Sequence, residues 1–166
     1  MPDHRRGYVR RGQGVLPSDP QMAGHYRAAQ HEPVAIFDRR CQSHLIEAAR
    51  DTGLHLSADV HAIACEPTHV HVLISWATDR SWKSMRSSVR RAMTVRLNEQ
   101  IARRTWFSDS PSRKRVRDHK HFDYLVLSYL PTHDGLSWVN GKTRGLALTR
   151  DARRERSVVE RARHGA

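Results

Sequence analysis

Two β-forming stretches, separated only by Pro67 and Thr68, constrain the fold of this chain more than any other feature. They cover residues 54–66 and 69–76, and the second, HVHVLISW, places an apolar residue at every second position. Two such stretches joined by a short turn are typical of an antiparallel β-hairpin. We therefore expect a sheet in which residues 54–66 and 69–76 pair side by side.

Helical patterns flank this hairpin on both sides. Before it, Asp38 is placed to cap a helix over about residues 39–52, in which apolar residues recur every three or four positions. After it, Ser81 is placed to cap a long helix over residues 81–104, whose apolar residues lie mostly four apart. A sheet with helices, and hence an α+β fold, is the prediction.

Three weaker patterns complete the predicted element order. Residues 34–37, VAIF, predict a short first strand, and residues 106–117 predict another extended stretch. Apolar residues over 122–130 recur at i, i+3, i+4, i+7 and i+8, which predicts a helix that Pro131 stops or kinks.

The resulting order is β, α, β, β, α, β, α. It is the split βαβ pattern of a ferredoxin-like sandwich with one additional helix. We expect an antiparallel sheet with its helices on one face and the other face open. The domain is predicted over residues 34–136, between a basic N-terminal arm, residues 1–33, and a basic C-terminal tail, residues 137–166.

The charge of the chain indicates a polyanionic partner. Lys and Arg number 29 against 17 Asp and Glu, a formal net charge of +12. A charge run is usually a solvated face, but this excess is of one sign and recurs in four segments, which favours contact with nucleic acid phosphates. The residues expected to make these contacts are Arg86, Arg90, Arg91, Arg113, Lys114, Arg115 and Arg117.

Cellular location follows from what the sequence lacks. No stretch approaches the roughly 20 apolar residues that cross a bilayer, and no apolar stretch follows the basic N-terminus as in a secretory signal. The 2 cysteines form no CxxC pair, which excludes a disulfide framework and a cysteine-rich zinc site. We expect a cytoplasmic protein that does not contact a membrane.

His69 and His71 form the most informative pair of polar residues. Residues two apart in a strand point to the same face, so these imidazoles lie side by side and can bind one divalent ion. An isolated His-x-His is more often a pair of surface histidines. From the ligands alone, Zn²⁺ is a reasonable ion.

The residues around this pair resemble a known signature. Residues 65–75, CEPTHVHVLIS, are similar to the Pro-x-His-hydrophobic-His-hydrophobic-hydrophobic signature of the HUH single-tyrosine transposases. These are the enzymes of one class of insertion sequences and their relatives associated with repetitive extragenic palindromes. The resemblance covers most of residues 34–136, and His-Val-His is its specific part. It implies a ferredoxin-like domain that uses Mg²⁺ or Mn²⁺ to cut and rejoin DNA.

The resemblance also implies roles for individual residues. His69 and His71 hold the metal, and Tyr129 attacks a DNA phosphate, leaving a 5′-phosphotyrosine and a free 3′-OH. His133 stands where the family has the Gln or Asn that completes the metal site. The substrate implied is single-stranded DNA at a hairpin or palindrome, and the implied assembly is a homodimer.

Alternatives remain for the nucleophile and for the function. Tyr124 is a second candidate nucleophile, although an α-helix places it about 140° around the axis from Tyr129. A tyrosine placed earlier, as in palindrome-associated relatives, would fall within residues 110–112, which contain none. Tyr129 lies on an apolar stripe and is alternatively a core aromatic. The competing function is a catalytically inactive nucleic-acid-binding protein of the same fold.

Overall fold

The structure of the protein is a computed structural model. It describes residues 20–21, 24–25, 33–108 and 112–145. Most of the predicted N-terminal arm and most of the predicted C-terminal tail lie outside the described residues. One compact unit begins at Ala35, and the fold described below belongs to that unit.

Helices and strands of this unit form an α+β fold with an antiparallel sheet, as predicted. In chain order they are α1 (Arg39–His55), β1 (Ala58–Cys65), β2 (Val70–Trp76), α2 (Trp82–Gln100), α3 (His119–Tyr124), a π-helical turn (Leu125–Tyr129), a 3₁₀ turn (Leu130–Thr132) and β3 (Ser137–Val139). Residues 141–145 are also helical. No helix within the described ranges is long and apolar enough to cross a membrane.

Side-chain caps begin the two long helices. The Asp38 carboxylate accepts a hydrogen bond from the Cys41 N–H at 2.8 Å, and the Ser81 hydroxyl accepts one from the Ser84 N–H at 3.2 Å. Each satisfies a backbone donor that has no partner inside its helix. Both predicted helix starts are therefore confirmed.

The predicted hairpin is confirmed, and a bulge divides it. β1 and β2 pair antiparallel, with Cys65 opposite Val70 and Ala64 opposite His71. The register shifts by one residue at His61, which has no partner across the pair. Because residues on a strand alternate between faces, the extra residue reverses which positions of β1 face the helices.

The main core lies between α1, α2 and one face of the sheet. From β1 it receives Val60, Ile63 and Cys65, and from the helices it receives Leu45, Met85, Met93 and Leu97. On the opposite face, Ala62 and Ala64 pack under Leu130 of the 3₁₀ turn. The expectation that this second face is open is therefore wrong at Ala62 and Ala64, because two small residues let the 3₁₀ turn pack closely.

Both weakly predicted strands are absent from the described residues, and an unpredicted strand is present. Residues 34–37 make no ladder, but the Phe37 N–H donates to Pro67 O at 2.7 Å, and its ring packs against Trp106. Residues 112–117 also lack strand pairing. Instead, β3 pairs with β1 and gives the sheet order β2-β1-β3, so the sheet extends past residue 136.

Candidate active site

The turn that joins β1 to β2 brings a carboxylate to the histidine pair. The Glu66 N–H donates to His69 O at 2.8 Å, which closes the turn over Pro67 and Thr68. Glu66 Oε2 then lies 3.0 Å from His69 Nε2. His71 follows on β2, and its ring centroid is 5.0 Å from that of His69.

A change in helical winding positions the second half of the site. The Leu130 N–H donates to Leu125 O, five residues back, which widens the helix into a π turn. Pro131 has no N–H to continue the ladder, and the chain tightens into the 3₁₀ turn. As a result the rings of Tyr129 and His133 lie beside each other, with centroids 4.9 Å apart.

The two halves meet at His71. Its ring centroid lies 4.5 Å from that of His133 and 5.8 Å from that of Tyr129. The structure therefore brings together His69, His71, Tyr129 and His133, all selected from the sequence. Tyr129 is 36% exposed, which rules out the alternative that it is a core aromatic.

His133 is oriented by the backbone of the turn before it. Its Nδ1 lies 3.1 Å from both Tyr129 O and Leu130 O, and a carbonyl oxygen can only accept a hydrogen bond. Nδ1 therefore carries a proton, which leaves Nε2 as the ring nitrogen that can bind a cation or a second proton. Nε2 lies 3.6 Å from Glu66 Oε1.

His71 has a buried nitrogen that the described residues leave unsatisfied. Its Nε2 is inaccessible to water and has no hydrogen-bond partner. Burial lowers the pKa of His71, and the neighbouring His133, His69 and Lys114 lower it further. The imidazole ring of His71 is therefore neutral at pH 7. Buried polar atoms without partners are rare, and metal ligands are one explanation for them.

The donor set fits a divalent cation, although its geometry is not that of a bound ion. Three imidazoles and one carboxylate are ligands that Mn²⁺ and Zn²⁺ accept. Within the described ranges, however, no three His, Cys, Asp or Glu side chains are arranged so that they could hold a metal as they stand. In this arrangement the Glu66 carboxylate contacts His69 at 3.0 Å and lies 3.6 Å from His133.

Sequence reasoning missed Glu66. Its place three residues before His69 was the available signal, because residues i and i+3 of a tight turn lie close together. The structure adds its carboxylate to the candidate ligands.

Tyr124 lies closer to Tyr129 than the sequence indicated. The expected separation of about 140° assumes α-helical winding at 100° per residue. A π turn has more residues per turn than an α-helix, so each residue rotates less about the axis. Residues five apart in it therefore lie on nearly the same side of the helix. The two ring centroids are 6.3 Å apart, and Tyr124 is 56% exposed. Both tyrosines therefore lie at the same end of the site.

Basic residues expected to contact nucleic acid fall into three environments. Arg90 is part-buried and its Nη2 donates to Phe107 O at 3.1 Å, which ties α2 to the following segment. Arg86 and Arg113 both lie over the ring of Trp82. The remaining four are exposed: Arg91, Lys114, Arg115 and Arg117.

Gly135 allows the turn after His133 to approach β1. A Cβ at this position would overlap the carbonyl oxygen of Cys65. Next to it, Leu136 donates to the buried Gln42 Oε1 at 2.8 Å and accepts from the Cys65 N–H at 2.9 Å. A side chain at Gly135 would meet backbone atoms of Cys65, which cannot rotate away as a side chain can. It would therefore have to displace the turn that carries His133.

Gly135→Ala is expected to lower the free energy of unfolding by about 1–3 kcal/mol, as overpacked sites do. It should also weaken Mn²⁺ binding, because His133 moves with the turn. Urea unfolding and calorimetric titration measure the two effects. Gly141→Ala is the matched control, since no atom of the described residues lies within 4 Å of a Cβ there. Equal effects of both variants would show that the close approach at Gly135 is unimportant.

Acid is expected to destabilise the fold through two histidines with lowered pKa values. Burial lowers the pKa of His61, whose Nε2 lies 2.7 Å from Ser75 Oγ, and that of His71. As the pH falls below the usual histidine pKa of about 6.5, the unfolded chain binds protons that the folded chain does not. The free energy of unfolding therefore decreases as the pH is lowered, and it stops decreasing once the pH is below the lowered pKa values of the folded protein.

Urea titrations in EDTA at a series of pH values measure this dependence without any contribution from metal. His61→Gln should make it shallower, because one of the two histidines no longer titrates. A free energy of unfolding that rises as the pH falls would contradict the assignment.

Comparisons with known proteins give no relative for this chain. No protein-family model, curated protein or solved structure matches it. The site must therefore be interpreted from the geometry of residues 66–71 and 124–133, from the chemistry of their side chains and from the resemblance of residues 65–75 to the HUH signature.

Proposed function

We propose that this protein is a metal-dependent tyrosine transposase that cleaves and rejoins single-stranded DNA. One observation carries the proposal: the ring of Tyr129 lies beside those of His71, whose buried Nε2 has no partner among the described residues, and His133. A nucleophile next to candidate metal ligands is the arrangement that phosphoryl transfer needs. The resemblance of residues 65–75 to the HUH signature supports the same reaction.

His69, His71 and His133 are the residues that would hold Mg²⁺ or Mn²⁺, with Glu66 as a fourth ligand. The fit is chemical: His71 is neutral, and the backbone carbonyls at Nδ1 direct the Nε2 lone pair of His133 towards Glu66. Such hydrogen bonds from the second ring nitrogen are typical of metal-bound histidines. When bound, the ion polarises the scissile phosphate and offsets its negative charge.

Tyr129 is the proposed nucleophile. Its hydroxyl oxygen forms a bond to phosphorus as the bond from phosphorus to the 3′-oxygen breaks. The phenol loses a proton and the leaving oxygen gains one, so the products are a 5′-phosphotyrosine and a free 3′-OH. Because the new bond is again a phosphodiester, attack by a second 3′-OH rejoins DNA without ATP and releases the tyrosine.

Further parts of the proposal follow from the same resemblance. A ferredoxin-like sandwich is supported by the order α1-β1-β2-α2 and by the packing of both helices on one face of the hairpin. The proposed substrate is a single strand carrying a hairpin or palindrome, and the proposed assembly is a homodimer. The net charge of +12 supports a nucleic acid substrate.

A second candidate is a binding protein of the same fold without cleavage activity. The contact of Glu66 with His69 favours it, because a carboxylate and imidazoles that bind each other form a stable cluster without metal. Both candidates predict binding to single-stranded DNA. They differ in whether a covalent bond to DNA forms.

Incubation with a pool of hairpin oligonucleotides of random flanking sequence separates the two candidates. With Mn²⁺, denaturing electrophoresis should show a protein–DNA adduct, and excess EDTA should prevent it. An adduct that forms equally in EDTA would show that the reaction needs no metal ion. Tight, salt-sensitive binding to the pool with no adduct would reject the transposase in favour of the binding protein.

A further inference from the structure

Trp82, the first residue of α2, is surrounded by positive charge. The guanidinium carbon of Arg113 lies 4.6 Å from the centroid of its ring, and that of Arg86 lies 5.1 Å from it. Lys83 Nζ lies at 5.9 Å. These are cation–π distances, and Trp is the aromatic residue that attracts cations most strongly.

No carboxylate among the described residues neutralises the positive charges around Trp82. Among the described residues, Arg86, Arg113 and Lys83 have no ion-pair partner. Arg96, further along α2, shows the opposite case, because it contacts Glu47 at 3.2 Å and Asp51 at 2.9 Å. The charge of Arg96 is used in joining α2 to α1, whereas the charges around Trp82 repel each other and are available to an anion.

The segment that supplies Arg113 leads directly into the elements of the candidate active site. Asp118, five residues further on, caps α3, and the π turn that ends at Tyr129 follows α3. Residues 113–118 therefore connect the ring of Trp82 to the element that carries the proposed nucleophile.

We infer that Trp82, Arg86 and Arg113 form a binding site for a backbone phosphate of the same single DNA strand whose cleavage we assign to Tyr129. The inference rests on the proposed function and adds a substrate contact to it. Stacking on the indole holds the two guanidinium groups in place, so less side-chain entropy is lost when they bind a phosphate. Trp82 is thus a positioning residue, and the two arginines make the contact.

Binding of a fluorescein-labelled oligothymidine, measured in EDTA over a range of salt concentrations, tests the inference without cleavage. Each lost phosphate contact lowers the slope of log affinity against log salt by about 0.7 for a single strand. Arg86→Gln and Arg113→Gln should each lower the slope by that amount. Trp82→Leu should also lower it, although it leaves the net charge unchanged.

Arg96→Gln is the matched control, because it removes one positive charge from the same helix. It should leave the slope unchanged once circular dichroism confirms that the variant is folded. An equal change in Arg96→Gln and Arg113→Gln would mean that only net charge matters and would overturn the inference. So would an unchanged slope in Arg86→Gln and Arg113→Gln.

An oligonucleotide with abasic sites in place of bases tests the chemistry of the contact. A phosphate site predicts the same loss for Trp82→Leu with and without bases. If the loss disappears on the abasic strand, Trp82 stacks on a base and the phosphate assignment is wrong.

The adduct assay keeps this inference separate from the proposed function. An adduct in the unmodified protein, with binding unaffected by the Trp82 and Arg113 substitutions, rejects the inference alone. Salt slopes that change as expected, with no adduct, reject the proposed function alone.

Discussion

Tyr129→Phe is expected to abolish the covalent protein–DNA adduct, slowing its formation by about 1,000-fold or more, because it removes the attacking hydroxyl. The ring itself stays, and its contacts with His71 and His133 depend on the ring and not on the hydroxyl. Loss of the adduct would therefore report loss of the nucleophile and not loss of packing. Denaturing electrophoresis after incubation with the hairpin pool and Mn²⁺ measures the rate.

Tyr124→Phe is the matched control, since the same atom is removed from a ring 6.3 Å away. It should form the adduct at close to the unmodified rate. An adduct that survives Tyr129→Phe and is lost in Tyr124→Phe would move the nucleophile to Tyr124. The π turn makes this comparison necessary, because it brings both hydroxyl-bearing rings to the same end of the site.

His71→Ala is expected to weaken Mn²⁺ binding by about 100-fold or more, because even residues that only orient a ligand contribute about 10- to 100-fold. His71 is central to the site, since its ring contacts those of His69, His133 and Tyr129. Its buried Nε2 has no hydrogen-bond partner among the residues that the structure describes. Titration calorimetry of the metal-free protein measures the affinity.

His55→Ala is the control for His71→Ala, because His55 is an exposed histidine at the end of α1. It should bind Mn²⁺ as the unmodified protein does. Unchanged affinity in His71→Ala, with the variant folded, would mean that the histidine cluster holds no metal. Adduct formation in that variant would contradict the proposed mechanism as well.

The two long helices and the β-hairpin could be predicted from local patterns in the sequence. Asp38 and Ser81 each cap a helix with their own side chains, and the hairpin turn lies between two alternating stretches. These features depend on residues a few positions apart, so they can be predicted before the tertiary structure is known. The short strands could not be predicted in this way, because a short strand forms only where a distant part of the chain offers it a pairing partner. β3 is only three residues long and exists because β1 offers it an edge.

Phe37 shows why an apolar run is a poor signal for a strand. The run VAIF at residues 34–37 places Phe37 in the core, where it packs on Trp106 and Phe107, without any ladder of hydrogen bonds. Burial alone accounts for its composition. A short apolar stretch cannot distinguish a strand from a buried connection.

Residue spacing identified most of the candidate site but not its arrangement. His69 and His71 share a face because strands alternate, and His133 follows Tyr129 by one helical turn. The position of Tyr124 depends on the π turn, which one backbone hydrogen bond from Leu130 to Leu125 defines. Glu66 joins the site through the closed turn before His69. Neither feature follows from helical or strand periodicity.

Peptide mapping of the adduct identifies the residue that attacks the DNA. The protein–DNA product formed with Mn²⁺ is digested with protease and nuclease, and mass spectrometry locates the residual nucleotide. We expect a nucleotide linked through its 5′-phosphate to the peptide that contains Tyr129, at that tyrosine. A nucleotide on any other residue, or no linked peptide in a protein that binds the pool tightly, would contradict it.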